Sequence, residues 1–292
     1  MACKTLKRPG DKRELEAGAV GTIFRYPVKS MLGEVLDEAI IDEGGVLGDR
    51  AYALIDQDTC KVASAKLPKK WGGMLEFSAR FMTAPRRNSP APVVRIECPD
   101  GSHVTSNVGD PDTKLSESLG RRVTLTTMRP DSISVERLDP LDPAGGIRDI
   151  GDIMLRGKFA DYAPIHLLTT ATLAQLSALR PDIEFEVRRF RPNLLIETAA
   201  DRPGFVENQW IGKTVAIGEE VRLRITDPTP RCSVPTLAQK NIPKDPQVLR
   251  AIVENNLIPV PLLDNEMLPC AGVYGFVVKG GTIRRGDAMW ID

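Results

Sequence analysis

Cys232 lies in Asp227-Pro-Thr-Pro-Arg-Cys-Ser-Val-Pro235, between an arginine and a serine on a loop braced by prolines. A neighbouring cation lowers a thiol's pKa, and the thiolate is the form that ligates soft metals or attacks electrophiles. A half-buried structural cysteine is the competing reading. Three further segments carry groups suited to an anion. In Tyr26-Pro-Val-Lys-Ser30 a proline ends a strand, and Lys29 and Ser30 then present an ammonium, a hydroxyl and backbone N–H groups; a solvated surface lysine is the alternative. In Gly48-Asp-Arg50 a tight turn puts Arg50 at a strand start, where its fork suits either a phosphate or the carboxylates of Asp49 and Asp56. In Arg188-Arg-Phe-Arg-Pro-Asn193 three arginines fall within four residues beside an apolar strand. Such a cluster is costly unless an anion answers it, or Glu184 and Glu186 do. Alternation on an extended chain sends Arg189 and Arg191 to one face and Arg188 to the other. His166 stands in an apolar stretch and reads as a packed core or supporting histidine rather than a ligand.

Other chemistries lack their residues. No HxxxH or HExxH pair, GxSxG elbow or Walker lysine loop occurs, so a hydrolase triad and a nucleotide-phosphate loop have no support. Lys+Arg and Asp+Glu both number 39, and zero net charge argues against general nucleic-acid binding. The cysteines Cys3, Cys60, Cys98, Cys232 and Cys270 form no CxxC pair, which excludes zinc-ribbon and iron–sulfur spacings. An odd set of scattered thiols suits a reducing compartment. No apolar run approaches the roughly 18 residues of a membrane span. The expectation is a cytoplasmic protein acting on a small molecule, with no nucleic acid and no membrane.

The elements that position these residues are mostly strands. Hydrophobic alternation marks strands over 18–27, 36–42, 50–56, 93–98, 123–128, 221–226, 272–279 and 287–291, with extended structure over 61–64. The segments 215–218 and 221–226 read as a hairpin, and Gly280-Gly281 as the turn between the closing strands. Helices are expected at 114–119 capped by Asp112, at 172–179 capped by Thr170, and at 246–255 capped by Asp245. The fold class is mainly β with α (α+β). Close strand spacing with Gly and Pro turns indicates barrels or sandwiches. A Pro- and Gly-rich stretch over 129–162 reads as a long connection between two halves, a place where a lid can form. The division is a polar, disordered lead over 1–16, a β-rich unit over 17–130 and a second unit over 131–292.

Six segments, in order, resemble the MOSC family, named for the C-terminal domain of molybdenum-cofactor sulfurases. They are Tyr26-Pro-Val-Lys-Ser30, Gly48-Asp-Arg50, Leu168-Thr-Thr170, Phe190-Arg-Pro-Asn193, Pro230-Arg-Cys232 and Gly281-Thr-Ile-Arg-Arg-Gly-Asp287. The resemblance is greatest to members with an N-terminal β-barrel domain, which include the amidoxime-reducing component and its bacterial relatives. It implies a MOSC β-barrel over 131–292, a smaller N-terminal barrel over 17–130, and a molybdenum-molybdopterin cofactor between them. Cys232 would be the catalytic residue and metal ligand. Lys29, Ser30 and Arg50 would bind the pterin phosphate and ring from one side, and Thr169, Thr170, Arg191 and Asn193 from the other. Arg231 and Tyr274 would line the site beside the metal. The implied reaction is reduction of N-hydroxylated substrates, with electrons from a separate donor of ferredoxin or flavin/haem-reductase type. A carrier of persulfide sulfur or of the cofactor is the alternative, and a module keeping only an anion pocket is a third. Pyridoxal phosphate binding is a further association at the level of the family. The chain departs from the pattern at Pro230, where relatives carry a small hydroxyl residue. It departs again over 233–269, which lacks the Asp-Pro-Asp-Thr-Gly run of the reductases. No four-cysteine segment follows the MOSC part, hence the separate donor.

Overall fold

The computed structural model describes residues 15–130, 132–139, 145–151, 157–199 and 204–291, so nearly all of the lead expected over 1–16 lies outside the described residues. Seven strands close into a barrel in the order Ile165–Thr169, Leu194–Glu197, Leu15–Arg25, Ala288–Ile291, Thr214–Ile217, Val221–Pro230 and Glu266–Lys279, and the last pairs back onto the first. Closure leaves these strands no free edge. The pair Ile165–Thr169 and Leu194–Glu197 is parallel; the other contacts are antiparallel. Alternation decides what goes inside. Val221, Leu223 and Ile225 are buried while Arg222 and Arg224 turn outward. Val20, Ile23, Leu167, Ile196, Val215 and Val273 complete the same core. Each such side chain contributes about 1.5–3 kcal/mol by leaving water.

The barrel draws strands from both sides of residue 130. Leu15–Arg25 pairs with Leu194–Glu197 and with Ala288–Ile291, and Glu38–Asp42 pairs with Gly281–Arg284. The rest of the N-terminal half forms small antiparallel sheets, Ser78–Phe81 with Val94–Glu97 and His103–Thr105, and Ala53–Asp56 with Val123–Thr126. They enclose a second core of Val28, Met31, Leu54, Met74, Phe77, Ile96 and Leu115. Among the described residues no helix is long and apolar enough to cross a membrane.

Several sequence expectations shift. Asp110, not Asp112, caps the helix Pro111–Leu119, accepting from Thr113 N at 3.0 Å; Asp112 instead accepts from Leu125 N at 2.9 Å. Thr169, not Thr170, caps Thr170–Leu179. Pro246 takes the cap position of Gln247–Asn255, and Asp245 Oδ1 reaches Gln247 N from one residue further out, at 2.9 Å. Gly281 opens a strand, Gly281–Arg284, rather than completing a turn, because the edge of Glu38–Asp42 offers it a partner. The connection over 129–162 holds an antiparallel pair, Glu136–Leu138 with Ile147–Asp149, and Val135, Ile150 and Phe159 pack with Ala53 and Val62. Residues 187–189 form a 3-10 turn, so Arg188 to Arg191 do not alternate as on a strand.

Candidate functional site

The loops that leave the barrel are zipped together. Arg50 N donates to Tyr26 O at 2.7 Å, Tyr52 N to Pro27 O at 2.9 Å and Lys29 N to Tyr52 O at 2.9 Å, while Tyr26 N donates to Asp49 Oδ1 at 2.8 Å. This ladder puts Lys29, Ser30 and Arg50 on one surface. Across from them the strand Val221–Pro230 runs out, and Arg231 N donates to Pro269 O at 2.7 Å, which fixes the backbone before Cys232. The Cys232 thiol is free and half-buried. Between the two sides lies a cleft of about 1160 Å³, counted with its open mouth.

Its charge is one-sided. Lys29, Arg50, Lys66, Arg137, Arg189, Arg191 and Arg231 line it, against the single carboxylate of Asp161 among the described residues. A chain with no net charge has gathered cations in one place, which raises the local concentration of anions. The phenol ring of Tyr26 carries two of them, with the Arg50 and Arg191 guanidinium carbons 4.7 and 4.4 Å from its centroid. Burial pushes the Tyr26 phenol up to about 12, so it keeps its proton and donates to Pro192 O at 3.1 Å. Burial, reinforced by the Arg50 charge, lowers Arg191 to about 10; it stays cationic at neutral pH. Asp49 pairs with Arg50 and outweighs the cost of that residue's burial, holding its pKa up.

The backbone is strained where these groups sit. Ser30, Arg50 and Arg191 have φ of 63°, 48° and 54°, the left-handed region that side chains rarely enter. Each costs about 1–3 kcal/mol, and such strain clusters at functional sites. Among the described residues, buried polar atoms along the cleft also go unanswered: Arg191 Nη1, Arg231 Nε, Arg137 Nε and Thr229 Oγ1. Unsatisfied donors around a cationic pocket, with a thiol at its edge, suit an anionic ligand carrying a soft metal.

Two family models match the chain. The MOSC N-terminal beta barrel domain matches residues 17–129, and the MOSC domain matches residues 155–290. The chain belongs to the MOSC family. MOSC domains are associated with molybdenum-cofactor-binding proteins. No curated protein matches. Among solved structures, the YUAD protein of Bacillus subtilis is 12% identical at a TM-score of 0.46, covering 96% of this chain and 97% of that one. YiiM from Geobacillus stearothermophilus is 14% identical at a TM-score of 0.31, covering 55% of this chain and 74% of that one.

Of the residues that the MOSC resemblance singled out, Lys29, Ser30, Arg50, Arg191, Asn193, Arg231, Cys232 and Tyr274 line the one cleft. Thr169 and Thr170 do not. The Thr169 hydroxyl donates to Glu207 Oε2 at 2.6 Å and accepts from Thr172 N at 3.1 Å. Thr170 accepts from Thr198 N at 3.0 Å. Both hydroxyls brace the start of a helix. Asn193 is also largely committed, accepting from His166 N at 3.1 Å. Arg189 reaches the cleft wall, but its guanidinium donates to Glu184 O, Pro235 O and Pro243 O at 3.0–3.1 Å, so its role is to tie loops together. Arg188 pairs with Glu186 at 2.9 Å, as one of the two readings had it. His166 is buried, and burial with the nearby Arg231 charge holds its pKa well below 6.5 as a neutral ring. It packs so closely that a Cβ on Gly272, where φ is +84°, would meet His166 Nε2 at 2.4 Å.

Sequence reasoning did not single out Lys66, Arg137, Asp161, Tyr162 or Glu207. Lys66 and Asp161 come from loops with no motif and meet only in the folded chain. Asp161 accepts from Lys29 Nζ at 2.5 Å and lies 2.8 Å from Lys66 Nζ. The two lysines hold its carboxyl well below the usual range against the opposing effect of burial. Burial likewise works against the Lys66 charge, but Asp161, Cys232 and Tyr274 together outweigh it and raise its pKa. The only sequence reading that covered Asp161 was the long Pro- and Gly-rich connection over 129–162, which did not single it out.

Proposed function

We propose that this chain binds molybdenum-molybdopterin in the cationic cleft and reduces N-hydroxylated compounds, using electrons from a separate donor protein of ferredoxin or flavin/haem-reductase type. The observation that carries this reading is the convergence of Lys29, Arg50, Arg191 and a half-buried Cys232 on one cleft with unanswered donors. Cys232 Sγ would be the protein ligand to the metal. Lys29, Ser30 and Arg50 would hold the phosphate; Ser30 Oγ already accepts from Ala65 N at 3.0 Å, which leaves its proton free to donate. Arg191 would spend its unanswered Nη1 on the pterin. Once bound, the cofactor supplies a two-electron couple at molybdenum.

The chain's share is binding, orientation and electrostatics. Arg231 is fixed by its bond to Phe190 O at 2.8 Å, with its guanidinium carbon 5.3 Å from the Phe190 ring centroid. Tyr274 Oη keeps its proton, pushed up to about 12 mainly by burial, and is an O–H donor lining the cleft. Leu262, Leu263 and Tyr162 add apolar surface to the lining of the cleft. The net reaction cleaves the N–O bond, consumes two electrons and two protons, and releases the amine and water.

The test is metal and pterin analysis of protein made in a cofactor-competent host, followed by turnover of an amidoxime with a chemical reductant. Stoichiometric molybdenum and pterin with turnover are expected in the wild type, and loss of turnover in Cys232→Ala. Reduction retained by Cys232→Ala overturns the mechanism. A carrier instead shows one added sulfur on Cys232 by mass spectrometry, without molybdenum.

A further inference from the structure

Asp161 is the only carboxylate lining the cleft among the described residues, and two lysines hold it. Lys29 Nζ also donates to Phe159 O at 2.9 Å, so a single N–H remains for any ligand while Asp161 keeps its bond. An incoming anion and Asp161 therefore want the same donors. They also repel one another across a few ångströms of poorly solvated space.

We propose that Asp161 is a built-in competitor for the anion subsite, that Lys66 belongs to this subsite with Lys29, and that their pairing sets a charge threshold which a phosphate monoester passes and singly charged anions do not. The inference rests on the cofactor reading above. Asp161 already gives both ammonium groups one negative charge and two charge-assisted contacts. A monoanion replaces like with like and gains nothing. A phosphate monoester brings roughly −1.5 to −2 charge and three acceptor oxygens, enough to outweigh the lost pairing. The cost of displacement is the same for every anion, so it removes weak binders from useful affinity without changing their order.

The exchange needs no backbone movement. Phe159 is 1% exposed, and its N donates to Arg50 O at 3.1 Å while its O accepts from Lys29. Lys66 is held in the same way, since Leu138 N donates to Lys66 O at 2.8 Å. The Asp161 side chain is 34% exposed, so rotation about its own bonds takes the carboxylate to water.

Isothermal titration of the full chain, made in a host without the cofactor, decides the point with inorganic phosphate and acetate at neutral pH and fixed ionic strength. Asp161→Asn is expected to bind phosphate about tenfold more tightly than wild type and to make acetate binding detectable, since a competing charge is gone. Lys66→Met is expected to weaken phosphate about tenfold in both backgrounds, as loss of a charge-assisted contact does. Asp161→Glu keeps the competing charge and is expected to stay near wild type, and Asp161→Ser replaces Asp161→Asn should the latter not fold. Phosphate bound no more tightly by Asp161→Asn overturns the competition while leaving the cofactor reading intact. A wild type that binds neither phosphate nor pterin overturns the cofactor reading itself.

Discussion

Two buried polar regions share the strand Ile165–Thr169 and are finished differently. At Thr169 the carboxylate of Glu207, 0% exposed, takes the hydroxyls of Thr169 and Thr172 at 2.6 Å each and Gly272 N at 3.1 Å. Every partner there comes from the chain. At His166 the strand reaches the cleft, where Arg191 Nη1 and Arg231 Nε are buried with no partner among the described residues. Burial of a charged group is common to both regions, so burial does not mark a binding site. What marks it is hydrogen bonding that the chain leaves incomplete, at a place where cations outnumber carboxylates.

The contrast can be broken at either region. Glu207→Ala is expected to cost about 2–4 kcal/mol, because it opens a cavity and orphans two hydroxyls and an N–H. A urea melt measures it, and a wild-type midpoint would mean that the cluster is not the internal brace described. Arg191→Met should leave stability within about 0.5 kcal/mol, since an incompletely paired buried cation contributes little to folding. The same variant, made in a cofactor-competent host, should retain about tenfold less pterin than wild type by pterin analysis, since its contact to the pterin is gone. A loss of stability comparable to that of Glu207→Ala would erase the distinction.

The smallest effect is in pH. Burial lowers His166 below its ordinary value of 6.5, so its share of stability is present above that value and is lost as pH falls through it. Burial raises Glu207, so its share is full below the ordinary carboxylate value and is lost as pH rises through the raised one. Between about pH 7.5 and about pH 5.5 the His166 trend should cost the wild type no more than about 1.4 kcal/mol. His166→Gln should lose less than wild type over that interval in urea titrations. An equal loss would show that the ring is not held neutral.

Much of this was legible before the fold. Cys232 and Arg231 stood out because their chemistry is local: a thiol beside a cation on a proline-braced loop. Lys29, Ser30 and Arg50 were marked by turn residues next to strands, and Arg191 by charge density beside an apolar run. Thr169 and Thr170 were misplaced because a threonine before a helix looks the same whether it caps that helix or greets a ligand. The three arginines of 188–191 were indistinguishable on a strand template. In the structure a 3-10 turn sends Arg189 to three carbonyls, Arg188 to Glu186 and Arg191 to the ring of Tyr26.

From the amino-acid order alone come the β-rich class, the alternation that fills the barrel, and the residue types able to hold an anion and a soft metal. These depend on periodicity and side-chain chemistry, which neighbours in sequence already express. Only the tertiary structure decided that Leu15–Arg25 joins a barrel whose other strands all come from 165–291. It alone decided that Lys66 and Asp161 meet at Lys29, and which buried donors stay unanswered. Those outcomes depend on pairings between residues far apart in the chain, where distance in space, and not position in sequence, sets the Coulomb energy and the hydrogen bond.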